Sequence, residues 1–252
     1  MVHLSVNVNK VATLRNARGG SIPSVLDAVR VAVKAGAPGI TVHPRADERH
    51  ITARDVTEIA AWLEPQRGRV EFNIEGDPRP DLIAMVLAIR PDQCTLVPVM
   101  PGEITSQAGW PIDRSWPGLE DAVGRLRANG TRVSLFIEPR LDAVDWAQGL
   151  GADRVELYTE PYARAFEQGG ARREESLASY TRAAAHANSR GLGVNAGHDL
   201  DLSNLPRFAA IPHLAEVSIG HALVSHALFV GLERAVQEYL EAIRSGVAAS
   251  GH

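Results

Sequence analysis

Short apolar runs alternate with longer stretches of helical period along the 252 residues of the chain. The short runs are rich in Val, Ile and Leu and have the length of strands, which favours buried strands of a sheet. They are LSVNV (4–8), GITVH (39–43), RVEFNIE (69–75), CTLVP (94–98), RVSLFI (132–137), RVELY (154–158), LGVNA (192–196) and EVSIG (216–220).

Helical spacing of apolar residues is clear between these runs, for example over Ile22–Ala35 and Leu232–Ile243, each of which would bury one face. Several of the helical stretches end in glycine-containing turns directly before a strand, as in KAGAPGI, ANGTRV, LGADRV and SRGLGV. Glycine is favoured just past the end of a helix because it adopts the left-handed backbone conformation that a tight αβ turn requires. The pattern therefore predicts repeated βα units.

Eight βα units in a chain of this length favour a single (β/α)8 TIM barrel over an open doubly wound sheet. A dinucleotide-binding sheet would carry G-x-G-x-x-G after its first strand, where this chain reads VNVNKVATLRNARGG. No shift in composition divides the chain. We expect one α/β domain over residues 1–245 and a flexible C-terminal tail over 246–252.

Composition limits the classes of function. The chain is 45% hydrophobic and 22% charged, as in globular proteins, and its formal net charge of −4 argues against a nucleic-acid partner. A lone cysteine, Cys94, cannot form an internal disulfide, which is typical of the reducing cytoplasm. The start of the chain lacks the features of a signal peptide, and VSIGHALVSHALFVGL is short for a membrane span. We expect a cytoplasmic protein.

Ionisable and amide side chains collect where the predicted strands end. In a TIM barrel these strand ends form the active-site face. A single histidine there is more often a surface or satisfied core residue, but four histidines from three units at one end favour proton chemistry. The residues are Asn7, Asn9, Lys10, His43, Arg45, His50, Glu75, His198, Gly220 and His221.

Two further features of the strand ends bear on chemistry. In EFNIE, Glu71 and Glu75 lie on one strand face, and Glu75 is nearer the active-site end; the alternative is a solvated carboxylate at the start of a loop. Gly197 and Gly220 stand where a strand gives way to a helix, which favours an anion site at the helix N-terminus. Glycine at such a turn also occurs for purely steric reasons.

Several segments in order resemble the pyridoxine 5′-phosphate synthase family, the ring-closing enzymes of deoxyxylulose-dependent vitamin B6 biosynthesis. They are VNVNKVATLRNARG, ITVHPRADERHIT, FNIE, CTLVP followed by EITSQAG, VSLFIE, VNAGH and SIGHAL, and they cover nearly the whole chain. The resemblance implies a TIM barrel with extra helices that assembles as a homooctamer built from dimers. It also implies condensation of 3-amino-2-oxopropyl phosphate with 1-deoxy-D-xylulose 5-phosphate, without a metal or organic cofactor.

The resemblance also implies roles for particular residues. The acid/base residues of the family match His43, Glu75 and His198. The aminoketone phosphate site matches Asn7, Arg18, Asp199, Gly220 and His221. The pentulose phosphate site matches Asn9, Lys10, Arg45, His50 and Thr105, and the loop over residues 100–116 matches the lid of the family.

The chain departs from the best-known members of the family at two places. Asn9-Lys10 stands where they have Asp-His, and Asp199 stands where they have Gly. A backbone N–H contact survives the second change. The first exchanges a carboxylate and an imidazole for an amide and an ammonium at a substrate-binding position.

Three alternatives remain open at this point. A metal-dependent TIM-barrel hydrolase or isomerase acting on a phosphorylated small molecule would use His43, Glu75 and His198 as ligands, although the His-x-His of many such hydrolases is absent from the first strand. A catalytically inactive barrel kept as an oligomeric scaffold predicts eroded strand ends. A Schiff-base aldolase would use Lys10, although a lysine at a strand end more often binds phosphate.

Overall fold

Eight parallel strands close into a barrel in the computed structural model, which describes residues 1–98 and 108–251. Each strand pairs with the next along the chain, and the last pairs with the first. The predicted strands and the TIM barrel are thereby confirmed, with small shifts at most strand ends. The strands are β1 His3–Asn7, β2 Gly39–Val42, β3 Glu71–Gly76, β4 Gln93–Leu96, β5 Arg132–Ile137, β6 Arg154–Tyr158, β7 Gly193–Gly197 and β8 Leu214–Ile219.

Helices surround the barrel and include more than one per strand in several units. No helix within residues 1–98 and 108–251 is long and apolar enough to cross a bilayer. The helices are α1 Asn9–Asn16, α2 Val25–Lys34, α3 Ala53–Leu63, α4 Pro80–Ile89, α5 Leu119–Ala128, α6 Leu141–Gly149, α7 Glu160–Gln168, α8 Gly170–Ser189, α9 Leu205–Ala209, α10 His221–Val230 and α11 Leu232–Ser250, with a 3-10 helix at Glu64–Gln66.

The start of α2 differs from the sequence prediction. The helix begins at Val25, and Ile22, expected on its buried face, is 82% exposed. Ser24 has an extended backbone, and its side chain accepts a hydrogen bond from the N–H of Asp27 at 3.1 Å. This N-cap satisfies a first-turn donor and fixes the helix start three residues later than hydrophobic spacing alone indicates.

The last helix, α11, continues past the boundary expected at residue 245. Residues 246–250 are helical, so a separate tail from residue 246 is wrong as a description of this segment. The helix packs against α9, α10 and α2 and reaches β1. At Gly246 a Cβ atom would lie only 2.1 Å from the carbonyl oxygen of Pro206, so a glycine is required for this close approach to α9.

The apolar core lies between the strands and the helices, while the interior of the barrel is polar. Leu4, Val6 and Ile40 face the helices and are fully buried. Many TIM barrels fill the interior with branched apolar side chains; here the interior instead holds hydrogen-bonded polar groups. They are Ser5, Thr41, Asn73, Gln93, Thr95, Asn195 and Glu216.

Candidate active site

A cavity of about 480 Å³ opens at the carboxyl ends of the strands. Its volume lies in the range of small-molecule sites. Most of the residues singled out from the sequence line it together: Asn7, Asn9, Lys10, His43, Arg45, His50, Glu75, Gly197, His198, Asp199, Gly220 and His221. Residues far apart in the chain therefore meet at one place because every strand of the barrel ends there.

One residue singled out from the sequence, Arg18, is not brought to this cavity. Arg18 is exposed on the turn after α1 and does not line it. Thr105 lies outside the described residues, as does the segment 100–107 of the expected lid. The described end of that loop is anchored: Trp110 is buried, and its indole N–H donates to the carbonyl of Leu96 at the end of β4, at 2.8 Å.

His43 follows β2 and is braced by the amides of the first βα unit. Its backbone N–H donates to Asn9 Oδ1 at 2.9 Å, and the N–H of Asn9 donates to Asn7 Oδ1 at 3.0 Å. Burial lowers the pKa of His43 well below its ordinary value, and the nearby positive groups act in the same direction. The Nε2 atom is buried without a hydrogen-bond partner. A neutral imidazole thus presents an unsatisfied nitrogen inside the site.

Glu75 lies near the end of β3, close to His43. Its Oε2 is 3.9 Å from His43 Nδ1 and 3.5 Å from Asn7 Nδ2. Burial raises the pKa of Glu75 well above its usual value, and the carboxylates of Glu156 and Glu216 add to the rise. Because burial disfavours the charge on both partners, it favours the neutral imidazole of His43 and the protonated carboxyl group of Glu75. Glu71, the other candidate on β3, lies at the opposite end and pairs with Arg132.

His198 follows β7 in an uncommon backbone conformation. Its φ is +90° and that of Asp199 is +56°, a region that residues other than glycine seldom adopt. The imidazole lies against two aromatic rings, with centroids 5.6 Å from Phe136 and 5.2 Å from Tyr158. Burial lowers the pKa of His198, and the charge of Asp199 opposes that effect. The imidazole is therefore held neutral at the edge of the cavity.

Glu156 on β6 is a candidate functional residue that the sequence reasoning missed. It lines the cavity, is 4% exposed, and its Oε2 has no hydrogen-bond partner. Burial, with Glu216 adding to it, raises its pKa to about 8. A Cβ atom at Gly197 would lie 2.6 Å from Glu156 Oε1, so this glycine makes room for the carboxylate. The available signal was an acidic residue in the middle of the apolar run RVELY.

Two parts of the cavity attract anions. On one side lie Lys10, Arg45 and His50; burial, followed by the charge of Arg45, lowers the pKa of His50 to about 4. On the other side α10 begins at His221, with Gly220 as its N-cap residue. The free N–H groups of a helix N-terminus favour an anion there.

The metal-dependent alternative needs a ligand set of His43, Glu75 and His198. Within the part of the chain that the structure describes, no group of three or more His, Cys, Asp or Glu side chains is placed to hold a metal ion.

A closed (β/α)8 barrel with buried histidine and glutamate side chains at its strand ends defines a TIM-barrel enzyme whose site is equipped for acid/base chemistry. The chain belongs to the family described as pyridoxal phosphate biosynthesis protein PdxJ, whose model matches residues 4–245.

Proteins named pyridoxine 5′-phosphate synthase resemble the chain over almost all of its length. It is 48% identical over 256 residues to a pyridoxine 5′-phosphate synthase of Leptospira biflexa, covering 98% of each chain. It is 50% identical over 240 residues to the enzyme of that name from Porphyromonas gingivalis, covering 95% of this chain and 98% of the relative.

Solved structures of other proteins share only the fold. The chain resembles TrpF from Jonesia denitrificans at 15% identity and a TM-score of 0.61, covering 99% and 100% of the two chains. It resembles KGPDC from Streptococcus mutans at 10% identity and a TM-score of 0.63, covering 97% and 98%. These likenesses agree with a TIM barrel.

Proposed function

We propose that the protein is a pyridoxine 5′-phosphate synthase. It condenses 3-amino-2-oxopropyl phosphate with 1-deoxy-D-xylulose 5-phosphate to pyridoxine 5′-phosphate, inorganic phosphate and water. The observation that carries this proposal is that His43, Glu75 and His198, from three βα units, line one cavity between two anion-attracting regions. Membership of the PdxJ family supports the same substrates.

The reaction needs several proton transfers. The amine adds to a ketone, the resulting carbinolamine loses water, phosphate leaves, and a carbon–carbon bond closes before the ring becomes aromatic. In its ionised form Glu75 serves as the base toward carbon or nitrogen, because burial raises its pKa and so makes the carboxylate a stronger base. The neutral imidazoles of His43 and His198 accept a proton and return it to a leaving hydroxyl or phosphate oxygen.

The two substrates occupy opposite sides of the cavity in this proposal. Lys10, Arg45 and His50, with Asn9, hold the pentulose phosphate through charge-assisted hydrogen bonds. The family resemblance assigns Thr105, which lies outside the described residues, to the same phosphate. The aminoketone phosphate lies at the start of α10, against Gly220 and His221, and is held further by Asn7 and the backbone of Asp199. Arg18 is left out of the site of this protomer because it does not line the cavity.

The activity is tested by incubating the purified, metal-free protein with both phosphates and following pyridoxine 5′-phosphate by its absorbance. We expect product without an added metal or organic cofactor. Activity that is lost on chelation and restored by a divalent ion would favour the metal-dependent alternative. A pentulose adduct trapped on Lys10 by borohydride would favour a Schiff-base aldolase.

We also propose that the protein works in the cytoplasm as a homooctamer built from dimers. Large apolar side chains on the described surface support burial by further copies: Leu14, Ile22, Leu228 and Phe229 are between 53% and 88% exposed. Light scattering after size exclusion should give a mass near eight times 27.1 kDa. Phe229→Asp should reduce that mass, and an unchanged mass would place the interface elsewhere.

A further inference from the structure

We propose that the Tyr158-Thr159 segment at the end of β6 is the positioning element for His198. Neither residue lines the cavity. Both act on the histidine, Thr159 through its backbone and Tyr158 through its ring. The inference rests on the proposed catalytic role of His198.

The backbone at His198 needs an external restraint. His198 and Asp199 both have positive φ, and two consecutive residues with side chains in this region store conformational strain. Such a conformation persists only when the surroundings hold it. The Thr159 hydroxyl lies within hydrogen-bond distance of two carbonyl oxygens, those of Gly197, at 2.7 Å, and His198. The single hydroxyl hydrogen is therefore shared between the carbonyl oxygens of two successive residues, where the backbone enters the strained conformation.

Thr159 is itself firmly held. Its side chain is fully buried, and its backbone N–H donates to the carbonyl of Gly197 at 3.1 Å. The preceding carbonyl, that of Tyr158, accepts a hydrogen bond from the hydroxyl of Tyr180 on α8 at 2.5 Å. The register pairs Tyr158 with Gly197 across β6 and β7. The segment is thus fixed to both the barrel and the outer helices.

The imidazole is restrained by the same segment. The Tyr158 ring meets it edge to face, with an angle of 78° between the planes, and Phe136 packs on it from β5. Tyr158 and Phe136 also pack against each other at 5.5 Å. Because these rings exclude water from one side of the imidazole, the segment sets both the direction in which His198 points and its exposure to solvent.

The first test removes the hydroxyl. Thr159→Val keeps the shape of the side chain but has no donor, and Thr159→Ser restores the donor. We expect Thr159→Val to lower kcat by about ten- to a hundredfold, the effect of a small misplacement of a catalytic group, with the KM of both substrates unchanged. Thr159→Ser should recover most of the lost kcat. Thr181→Val on α8 is the matched control, because its hydroxyl also donates to a backbone carbonyl, that of Leu177, at 3.0 Å.

The second test asks whether the loss of kcat in Thr159→Val depends on His198. In a His198→Asn background, Thr159→Val should lower kcat no further, since residues that act as a unit are not additive. An equal loss in both backgrounds would overturn the positioning role and leave Thr159 as a structural residue. Near-normal turnover in His198→Asn alone would instead refute the proposed catalytic role of His198, so the two failures are distinguishable.

Tyr158→Leu is the second variant should Thr159→Val not fold. This variant keeps the hydroxyl of Thr159 and removes the aromatic ring of Tyr158 that contacts His198. We expect kcat to fall with KM unchanged, and the acidic limb of the kcat profile to move to higher pH because water reaches the imidazole. A profile identical to that of the unaltered enzyme would overturn the role of the segment.

Discussion

Glu216 on β8 carries a carboxyl group whose loss of hydration on burial is only partly offset by nearby polar and charged groups. Its replacement by glutamine tests whether this carboxyl group is protonated in the barrel interior. The side chain is 2% exposed and accepts hydrogen bonds from Gln93 at 3.4 Å and Asn195 at 3.3 Å. Burial raises its pKa from 4.5 to about 7, although the guanidinium of Arg154 acts in the opposite direction. The folded protein therefore holds this proton at pH values where the unfolded chain has released it.

The sign and the size of the effect follow from this difference. Between pH 4.5 and about 7 the folded state binds more protons at Glu216 than the unfolded state, so rising pH lowers the free energy of unfolding. At about 1.4 kcal/mol for each pH unit, this interval corresponds to about 3 kcal/mol. Glu216→Gln has no proton to lose. Its stability relative to the unaltered protein should therefore rise by about 3 kcal/mol from below pH 4.5 to above pH 7, or roughly 6–12 °C in Tm.

The assay is denaturant unfolding across this range of pH at a fixed protein concentration, since assembly also contributes to stability. A change in packing that does not depend on pH alters the free energy of unfolding by the same amount at low and at high pH. It therefore cancels in the comparison. Glu167→Gln, on the exposed surface of α7, serves as the control for a lost carboxylate. Parallel curves for Glu216→Gln and the unaltered protein would refute the reasoning, because they would mean that Glu216 is ionised alike in both states.

Three further predictions concern activity. His43→Asn, Glu75→Gln and His198→Asn should each lower kcat by ~10² or more while circular dichroism stays unchanged, and a near-normal Glu75→Gln would point to another carboxylate. Lys10→Met should raise the KM for deoxyxylulose phosphate by about ten- to a hundredfold and change that of the aminoketone much less; a collapse of kcat would instead support covalent chemistry. Because burial lowers the pKa of His43 and His198, kcat should not decline through their protonation until the pH is below 6.5, and a decline already at neutral pH would contradict their neutral state.

The fold could be predicted from sequence because barrel strands bury their outer faces against helices. That burial leaves a short apolar run at each strand, such as GITVH and RVSLFI, and the runs marked all eight strands. The apolar spacing alone did not predict the N-cap of α2. Ile22 continues the apolar spacing of α2, but the Ser24 side chain caps the helix after it and leaves Ile22 in solvent.

The site could be predicted only in part. Residues at strand ends were brought together because the strands are parallel and their ends share one face. Glu156 and the interior network depend on pairing between distant strands: Gln93 and Glu216 are 123 residues apart in the chain. No local pattern records which side chain will stand opposite another across a closed barrel. Arg18 shows the converse, because a motif match does not by itself place a side chain in the cavity.

The pairing of β8 with β1 has a consequence for how the chain reaches its final state. All other pairings in the barrel join strands that are consecutive in the sequence. The barrel closes only when the last strand, β8, pairs with the first, β1. A barrel without β8 would leave one edge of β1 and one edge of β7 with unpaired backbone groups, and such edges attract other chains. Because α11 packs on α2 and reaches β1, its docking covers the closed junction. We therefore expect a chain truncated before β8 to aggregate more readily than the full chain.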